Sequence, residues 1–95
     1  MSYITQAIET RYFGPTNDRG GRIKATAWAG SVAMPYDYAL NADQNHREAA
    51  ILLATKYGWA GTFVQGGNAK GNGYYFVNID KTTAFILGAK EETDQ

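Results

Sequence analysis

Side chains able to catalyse a reaction are scarce in this chain. His46 is the sole histidine, Ser2 and Ser31 are the only serines, neither lies in a Gly-x-Ser-x-Gly context, and cysteine is absent. A catalytic site needs a nucleophile and a base held in a fixed geometry, and these residues offer no such set. The lack of cysteine also excludes disulfides and thiolate metal sites. The sequence therefore predicts a protein without enzymatic activity and without a bound cofactor.

A metal site is one alternative use of the histidine. Asp43 precedes His46 by three residues, a spacing that places two potential ligands on the same side of a helix. Asp37 is the only further ligand nearby. The competing interpretation is that Asp43 interacts with the positively polarised start of the helix while His46 packs at the margin of a sheet. We favour this second interpretation and predict no metal site.

A glycine-rich segment at 66–73 suggests phosphate binding but does not match it. Its order Lys70-Gly71-Asn72 reverses the Gly-Lys-Ser/Thr order of a P-loop, and the segment leads into a predicted strand. Asn72-Gly73 is typical of a hairpin turn. We therefore expect a mobile hairpin connection here and no nucleotide hydrolysis.

Basic residues are concentrated in the turn-rich stretch from Gly14 to Lys24, which contains Arg19, Arg22 and Lys24. Period-two alternation places Arg22, Lys24 and Trp28 on one face of a strand, opposite three apolar residues, Ile23, Ala25 and Ala27. Positive charge beside an aromatic ring on an open sheet face is typical of single-stranded nucleic-acid binding. An ordinary solvent-exposed polar face is the competing interpretation.

Tyrosine is abundant, with seven in 95 residues. Tyr36 and Tyr38 flank Asp37 just before the predicted helix, and amphipathic aromatic residues are enriched in protein interfaces. Half-buried sheet positions would also use tyrosine. The predicted binding residues are Arg19, Arg22, Lys24, Trp28, Tyr36 and Tyr38.

The length and charge distribution indicate a single domain, residues 1–95. The formal net charge is zero, but residues 1–90 carry nine basic and six acidic side chains, and Glu91, Glu92 and Asp94 balance them. We expect the acidic tail, residues 90–95, to be disordered. No apolar run reaches the length of a membrane span, and no signal peptide is recognisable, so we expect a cytoplasmic protein without membrane association.

The predicted order of elements is β-β-β-α-β-β, an α+β fold in which one helix packs on one face of an antiparallel sheet. Strands are expected at 3–13, 22–28, 31–36, 62–65 and 74–79, with a further short edge strand at 83–87. An exposed edge strand could pair with a second copy and form a homodimer.

The helix is predicted at 41–57. Asn41 is suited to cap its start together with Gln44, and a helical stripe of His46, Ala49, Ala50, Leu53, Ala54 and Tyr57 would face the sheet. Gly58 is placed to end the helix, and Trp59 to fold back onto it.

Several motifs together resemble short proteins of bacteriophages and other mobile genetic elements. They are Arg11-Tyr12-x-Gly14-Pro15-Thr16-Asn17-x-Arg19-Gly20-x-Arg22-Ile23-Lys24-Ala25, Pro35-Tyr36-Asp37-Tyr38, Asn45-His46 and Tyr57-Gly58-Trp59. The resemblance covers about residues 4–79 and implies a viral or mobile-element origin. Small stand-alone phage proteins often inhibit host machinery, and anti-CRISPR proteins are one kind.

Two functions remain open at this point, and the first is the one that we favour from the sequence. The first is a non-enzymatic inhibitor that binds a host protein complex in the host cytoplasm, such as an antiviral defence complex. The second is an accessory protein that binds single-stranded nucleic acid. Few acidic residues lie outside the tail, which argues against simple mimicry of DNA.

Overall fold

The computed structural model describes residues 6–80. They form a five-stranded antiparallel sheet with one helix on one face, which confirms the predicted α+β architecture. The elements are β1 Ile8–Phe13, β2 Arg22–Ala27, β3 Gly30–Pro35, α1 Ala42–Lys56, β4 Phe63–Gly67 and β5 Gly73–Asn78. The predicted edge strand at 83–87 and the tail at 90–95 lie outside the described residues.

The sheet order is β3-β2-β1-β5-β4, so β1 occupies the centre. It pairs on one side with β2, its neighbour in sequence, and on the other with β5 from the far end of the described chain. Arg11 consequently lies opposite Lys24 in one pairing and opposite Gly73 in the other. Among the described residues the first strand begins at Ile8, so Gln6 and Ala7 do not belong to the strand predicted at 3–13, and residues 3–5 of that prediction lie outside the described residues.

The helix begins and ends as its sequence predicts. Asn41 and Gln44 form a reciprocal capping box, in which each side-chain oxygen accepts from the backbone N–H of the other residue, at 2.8 and 3.0 Å. At the other end Gly58 adopts a φ of 71°, and the Trp59 N–H donates to the Ala54 carbonyl at 2.8 Å. This is the Schellman arrangement, which satisfies carbonyl groups that the last helical turn leaves unpaired.

The core lies between α1 and the first three strands. Ile8, Ile23 and Leu53 are fully buried, and Phe76 adds an aromatic ring from β5. The helix contributes the alanines at 49, 50 and 54, whose small side chains permit a close approach to the sheet. The backbone of α1 lies closest to β1, β2 and β3. The side chains of Phe76 and Tyr74 connect β5 to the helix, and Phe63 of β4 packs against the core.

The β2–β3 hairpin turns one residue earlier than predicted. Ala27 pairs with Gly30, so Trp28 and Ala29 form the turn in place of Ala29-Gly30. Trp28 therefore does not continue the β2 alternation, and it is 75 % exposed. The Tyr57 hydroxyl donates to the Ala29 carbonyl at 2.9 Å, which ties the end of α1 to this turn.

The β4–β5 connection is shorter than predicted, because β4 runs through Gly67 and β5 begins at Gly73. Asn68 and Asn72 close the intervening loop through a side-chain hydrogen bond of 2.8 Å. Gly73 lies against β1 so closely that a Cβ there would overlap the Thr10 carbonyl group and lie 2.8 Å from its carbon. Only glycine fits this position without a shift of the strands.

Candidate functional site

The sheet face opposite α1 carries an array of positive and aromatic side chains. Arg11 and Phe13 come from β1, Arg22 and Lys24 from β2, and Tyr75 from β5. The strand register puts Phe13 opposite Arg22 and Arg11 opposite Lys24. We call these five residues the basic sheet face. Glu9, which pairs with Tyr75, is the one acidic residue among the described strand positions of this face.

Two cations of the basic sheet face oppose each other directly. Arg11 and Lys24 are cross-strand partners, and like charges at such positions destabilise a sheet. No requirement of folding explains this pairing, since any uncharged polar residue would serve on a solvated face. An anionic ligand that bridges the two side chains would convert the repulsion into attraction.

Phe13 lies between two guanidinium groups. Its ring centroid is 5.9 Å from the Arg11 Cζ and 5.4 Å from the Arg22 Cζ, within the range of cation–π interactions. Arg22 is only partly exposed, and its Nη1 atom is buried without a hydrogen-bond partner among the described residues. Both guanidinium groups therefore lie near the Phe13 ring, and Arg22 keeps one buried donor unpaired among the described residues.

Further basic residues border this array. Lys70, from the β4–β5 loop, lines a shallow depression of about 200 Å³ together with Glu9, Arg11 and Tyr75. Arg19 lines another of about 320 Å³ with Arg22 and residues of β3. Positive charge therefore extends across the sheet, from the loop before β2 to the loop before β5.

A second surface lies on the helix side of the sheet. Tyr12, Tyr36, Tyr38 and Tyr74 line a groove of about 690 Å³ beside the first turn of α1. The ring of Tyr36 is 5.2 Å from that of Tyr12 in an edge-to-face arrangement and 4.9 Å from that of Tyr38. We call this groove of four tyrosines the tyrosine groove. Desolvation, followed by the neighbouring hydroxyl of Tyr38, raises the pKa of Tyr12.

Hydrogen bonds fix the polar floor of the tyrosine groove. The Thr10 Oγ1 and His46 Nδ1 atoms are 2.8 Å apart, and the Tyr74 hydroxyl donates to the Asp43 carboxylate. That bond raises the pKa of Tyr74, whereas burial lowers the pKa of His46 against the opposing effect of Asp43. The imidazole is therefore held neutral near physiological pH.

The two residues considered as metal ligands thus have other partners, Thr10 for His46 and Tyr74 for Asp43. Within residues 6–80 no three histidine, aspartate or glutamate side chains come together in a way that could hold a metal ion.

The structure divides five of the six predicted binding residues between two surfaces and places Trp28 on neither. Arg22 and Lys24 belong to the basic sheet face, and Arg19 borders it. Tyr36 and Tyr38 line the tyrosine groove on the other side of the sheet. Trp28 occupies a hairpin turn.

Sequence reasoning missed several members of both surfaces, namely Arg11, Phe13, Tyr75, Tyr12 and Tyr74. Strand alternation offered a signal for part of this set, because Arg11 and Phe13 lie opposite the buried Ile8 and Thr10 within β1. The neighbourhood of Tyr75 depends on the pairing of β5 with β1, for which the local sequence carries no signal.

Comparison with known proteins identifies no relative: no protein-family model, no curated protein and no solved structure matches the chain. The one helix among residues 6–80 is neither long nor apolar enough to cross a membrane. Functional inference therefore depends on the two surfaces themselves.

Proposed function

We propose that this protein is a non-enzymatic binding module whose basic sheet face binds single-stranded nucleic acid. The observation that carries the proposal is the interleaving of Arg11, Arg22 and Lys24 with Phe13 and Tyr75 on an open sheet. Cations in such an array contact phosphates, and aromatic rings stack with bases irrespective of sequence. Tyr75 is 42 % exposed, which gives a base access to its ring.

The number of cations sets the expected salt dependence. If Arg11, Arg22 and Lys24 each neutralise one phosphate of a single strand, log K falls with log salt at a slope of about −2. Between about 25 mM and about 150 mM salt, affinity for an oligonucleotide should then weaken about 40-fold.

Fluorescence anisotropy with a labelled oligothymidylate of about 12 nucleotides tests this proposal. Lys24→Gln should reduce the magnitude of the salt slope by about 0.7, whereas Lys56→Gln, which removes a cation from the last turn of α1, should leave it unchanged. Tyr75→Leu should weaken binding about 5- to 100-fold through lost stacking, since this ring is exposed. Absence of binding at the lower salt concentration, or equal slopes for the two lysine variants, refutes it.

A second candidate function is inhibition of a host protein complex by a phage or mobile-element protein acting in the host cytoplasm. The tyrosine groove favours it, since Tyr38 is 71 % exposed beside two further tyrosine rings and exposed tyrosine is frequent at the energetic centre of interfaces. The resemblance to short phage proteins suggests an antiviral defence complex, such as a CRISPR effector, as the target.

A plasmid-interference assay in cells with an active CRISPR system tests this candidate. Expression of the wild-type chain should restore plasmid maintenance, and Tyr38→Ala should abolish the effect while Lys56→Gln retains it. Equal protection by the wild-type and Tyr38→Ala chains excludes the tyrosine groove as the contact surface. No protection in several types of CRISPR system removes this class of target.

A further inference from the structure

The tyrosine groove has the size of a ligand-binding site. Its volume of about 690 Å³ lies within the range of about 300–1,000 Å³ that small-ligand sites occupy. Three of its lining residues, Gly67, Gly71 and Gly73, lack side chains, so one wall is backbone. The groove is therefore able to accept an elongated side chain along the tyrosine rings.

The arrangement of the tyrosine rings favours a positively charged ligand. The rings of Tyr12 and Tyr36 meet edge to face with an interplanar angle of 73°, and those of Tyr36 and Tyr38 are tilted by 57°. Rings at these angles are not stacked face to face on one another, and the face of an aromatic ring carries the negative part of its quadrupole. Groups of such faces are the usual means of recognising ammonium and guanidinium groups.

The charges around the tyrosine groove also favour a positively charged ligand. No lysine or arginine is among its lining residues in the described part of the chain, and the Asp43 carboxylate is held at its margin by the Tyr74 hydroxyl. His46 adds no positive charge near neutral pH, because burial lowers its pKa. The described surroundings of the groove thus supply one carboxylate and no cationic side chain, unlike the basic sheet face.

The geometry points to an arginine side chain of a basic segment in a protein partner as the occupant of the tyrosine groove. A planar guanidinium stacks on aromatic rings and carries five N–H donors, which suit the tyrosine hydroxyl oxygens and the Asp43 carboxylate. This inference specifies the partner chemistry of the second candidate function above, and it is independent of nucleic-acid binding by the basic sheet face.

Titration with two nearly isosteric probes tests the inference. N-acetyl-arginine amide carries the guanidinium, and N-acetyl-citrulline amide replaces it with a neutral urea group of the same shape. We expect the arginine probe to bind with a Kd on the order of millimolar and to shift the ring NMR signals of Tyr12, Tyr36, Tyr38 and Tyr74. The citrulline probe should bind at least about fivefold more weakly.

Neighbouring glycines supply a matched pair of variants. A Cβ at Gly21 would lie 2.9 Å from the Tyr38 hydroxyl and 3.1 Å from the Tyr12 hydroxyl, whereas a Cβ at Gly20 would meet no atom within 4 Å. Gly21→Ala should therefore displace both rings and weaken the arginine probe at least about threefold, while Gly20→Ala leaves its affinity unchanged. Tyr38→Ala, at an exposed position, should weaken it at least about fivefold.

Four results overturn the inference: no ring shifts with the arginine probe at tens of millimolar, equal binding of the citrulline probe, shifts confined to other residues, or an affinity that Tyr38→Ala does not alter. Adenosine monophosphate serves as an anionic aromatic control, and tighter binding of this nucleotide in the groove would also overturn it. Plasmid protection that depends on Tyr38 without arginine binding would retain the second candidate function and reject only the arginine occupant.

Discussion

Gly73→Ala should strongly destabilise the protein, because this residue lies where β5 meets the central strand. The added Cβ would overlap the Thr10 carbonyl oxygen and lie 2.8 Å from the carbonyl carbon and 3.1 Å from the Arg11 Cα. Ordinary carbon contacts begin at 3.4 Å, and all three neighbours are backbone atoms that cannot rotate away. The two strands must therefore separate locally.

Separation of the strands removes specific interactions. The hydrogen bond of 3.0 Å from the Tyr12 N–H to the Asn72 carbonyl lies beside Gly73, as does the β1–β5 ladder that pairs Arg11 with Gly73. Loss of two such bonds costs about 2 kcal/mol, and the remaining strain adds about 1 kcal/mol or more. We expect the free energy of unfolding to fall by about 3 kcal/mol, which corresponds to a Tm about 12–24 °C lower.

Urea and thermal unfolding monitored by circular dichroism measure this change, and Gly66→Ala is its matched control. Gly66 belongs to the same hairpin, and a Cβ there meets no atom within 4 Å. Alanine in that strand should alter stability by less than about 1 kcal/mol, in the stabilising direction. Equal midpoints for Gly73→Ala and Gly66→Ala would refute the close approach of β5 to β1.

Three further outcomes concern the helix and its histidine. Because burial lowers the pKa of His46, the free energy of unfolding should decrease as the pH falls below about 6.5. An NMR titration of the imidazole measures this pKa, and a value at or above about 6.5 would contradict the argument. Asn41→Ala should cost about 1 kcal/mol in urea unfolding through loss of the capping box, whereas Asn41→Ser should restore most of it. Gly58→Ala should lower the free energy of unfolding by about 1 kcal/mol, because φ is 71° at this residue. Amide exchange at Trp59 should become faster, and unchanged stability would argue against the left-handed helix end.

The helix was the most predictable element of the fold. The signals for its start, its end and its buried stripe all lie within about 20 consecutive residues, from Asn41 to Trp59, and local chemistry determines them. The order of elements was predictable for the same reason, since alternation and turn residues act over short distances.

The strand order was less accessible from the sequence. Placement of β1 between β2 and β5 depends on a pairing across more than 60 residues, for which turn chemistry provides no constraint. The sequence-based prediction consequently placed residues of β2, together with Tyr36 and Tyr38, on a single contact surface. Tyr36 and Tyr38 follow β3 closely in sequence, yet they lie on the helix side of the sheet.

The candidate sites depend on the same distant pairing. Tyr75 enters the basic sheet face only because β5 lies beside β1, and Tyr74 enters the tyrosine groove for the same reason. Adjacent residues of one strand thus serve opposite surfaces. A one-residue slip in the register of β5 would exchange their roles.

The helix α1 covers only part of the sheet, and this predicts which part of the sheet unfolds locally first. Phe76 and Tyr74 anchor β5 to the core and to α1, whereas β4 lies beyond the helix and is joined to the sheet mainly through its pairing with β5. Units with few packed neighbours unfold locally at lower free energy than the global transition. We expect β4 to exchange its amide hydrogens ahead of β2. Lys70, in the loop that follows β4, would then adjust to a ligand while Arg22 and Lys24 hold their positions.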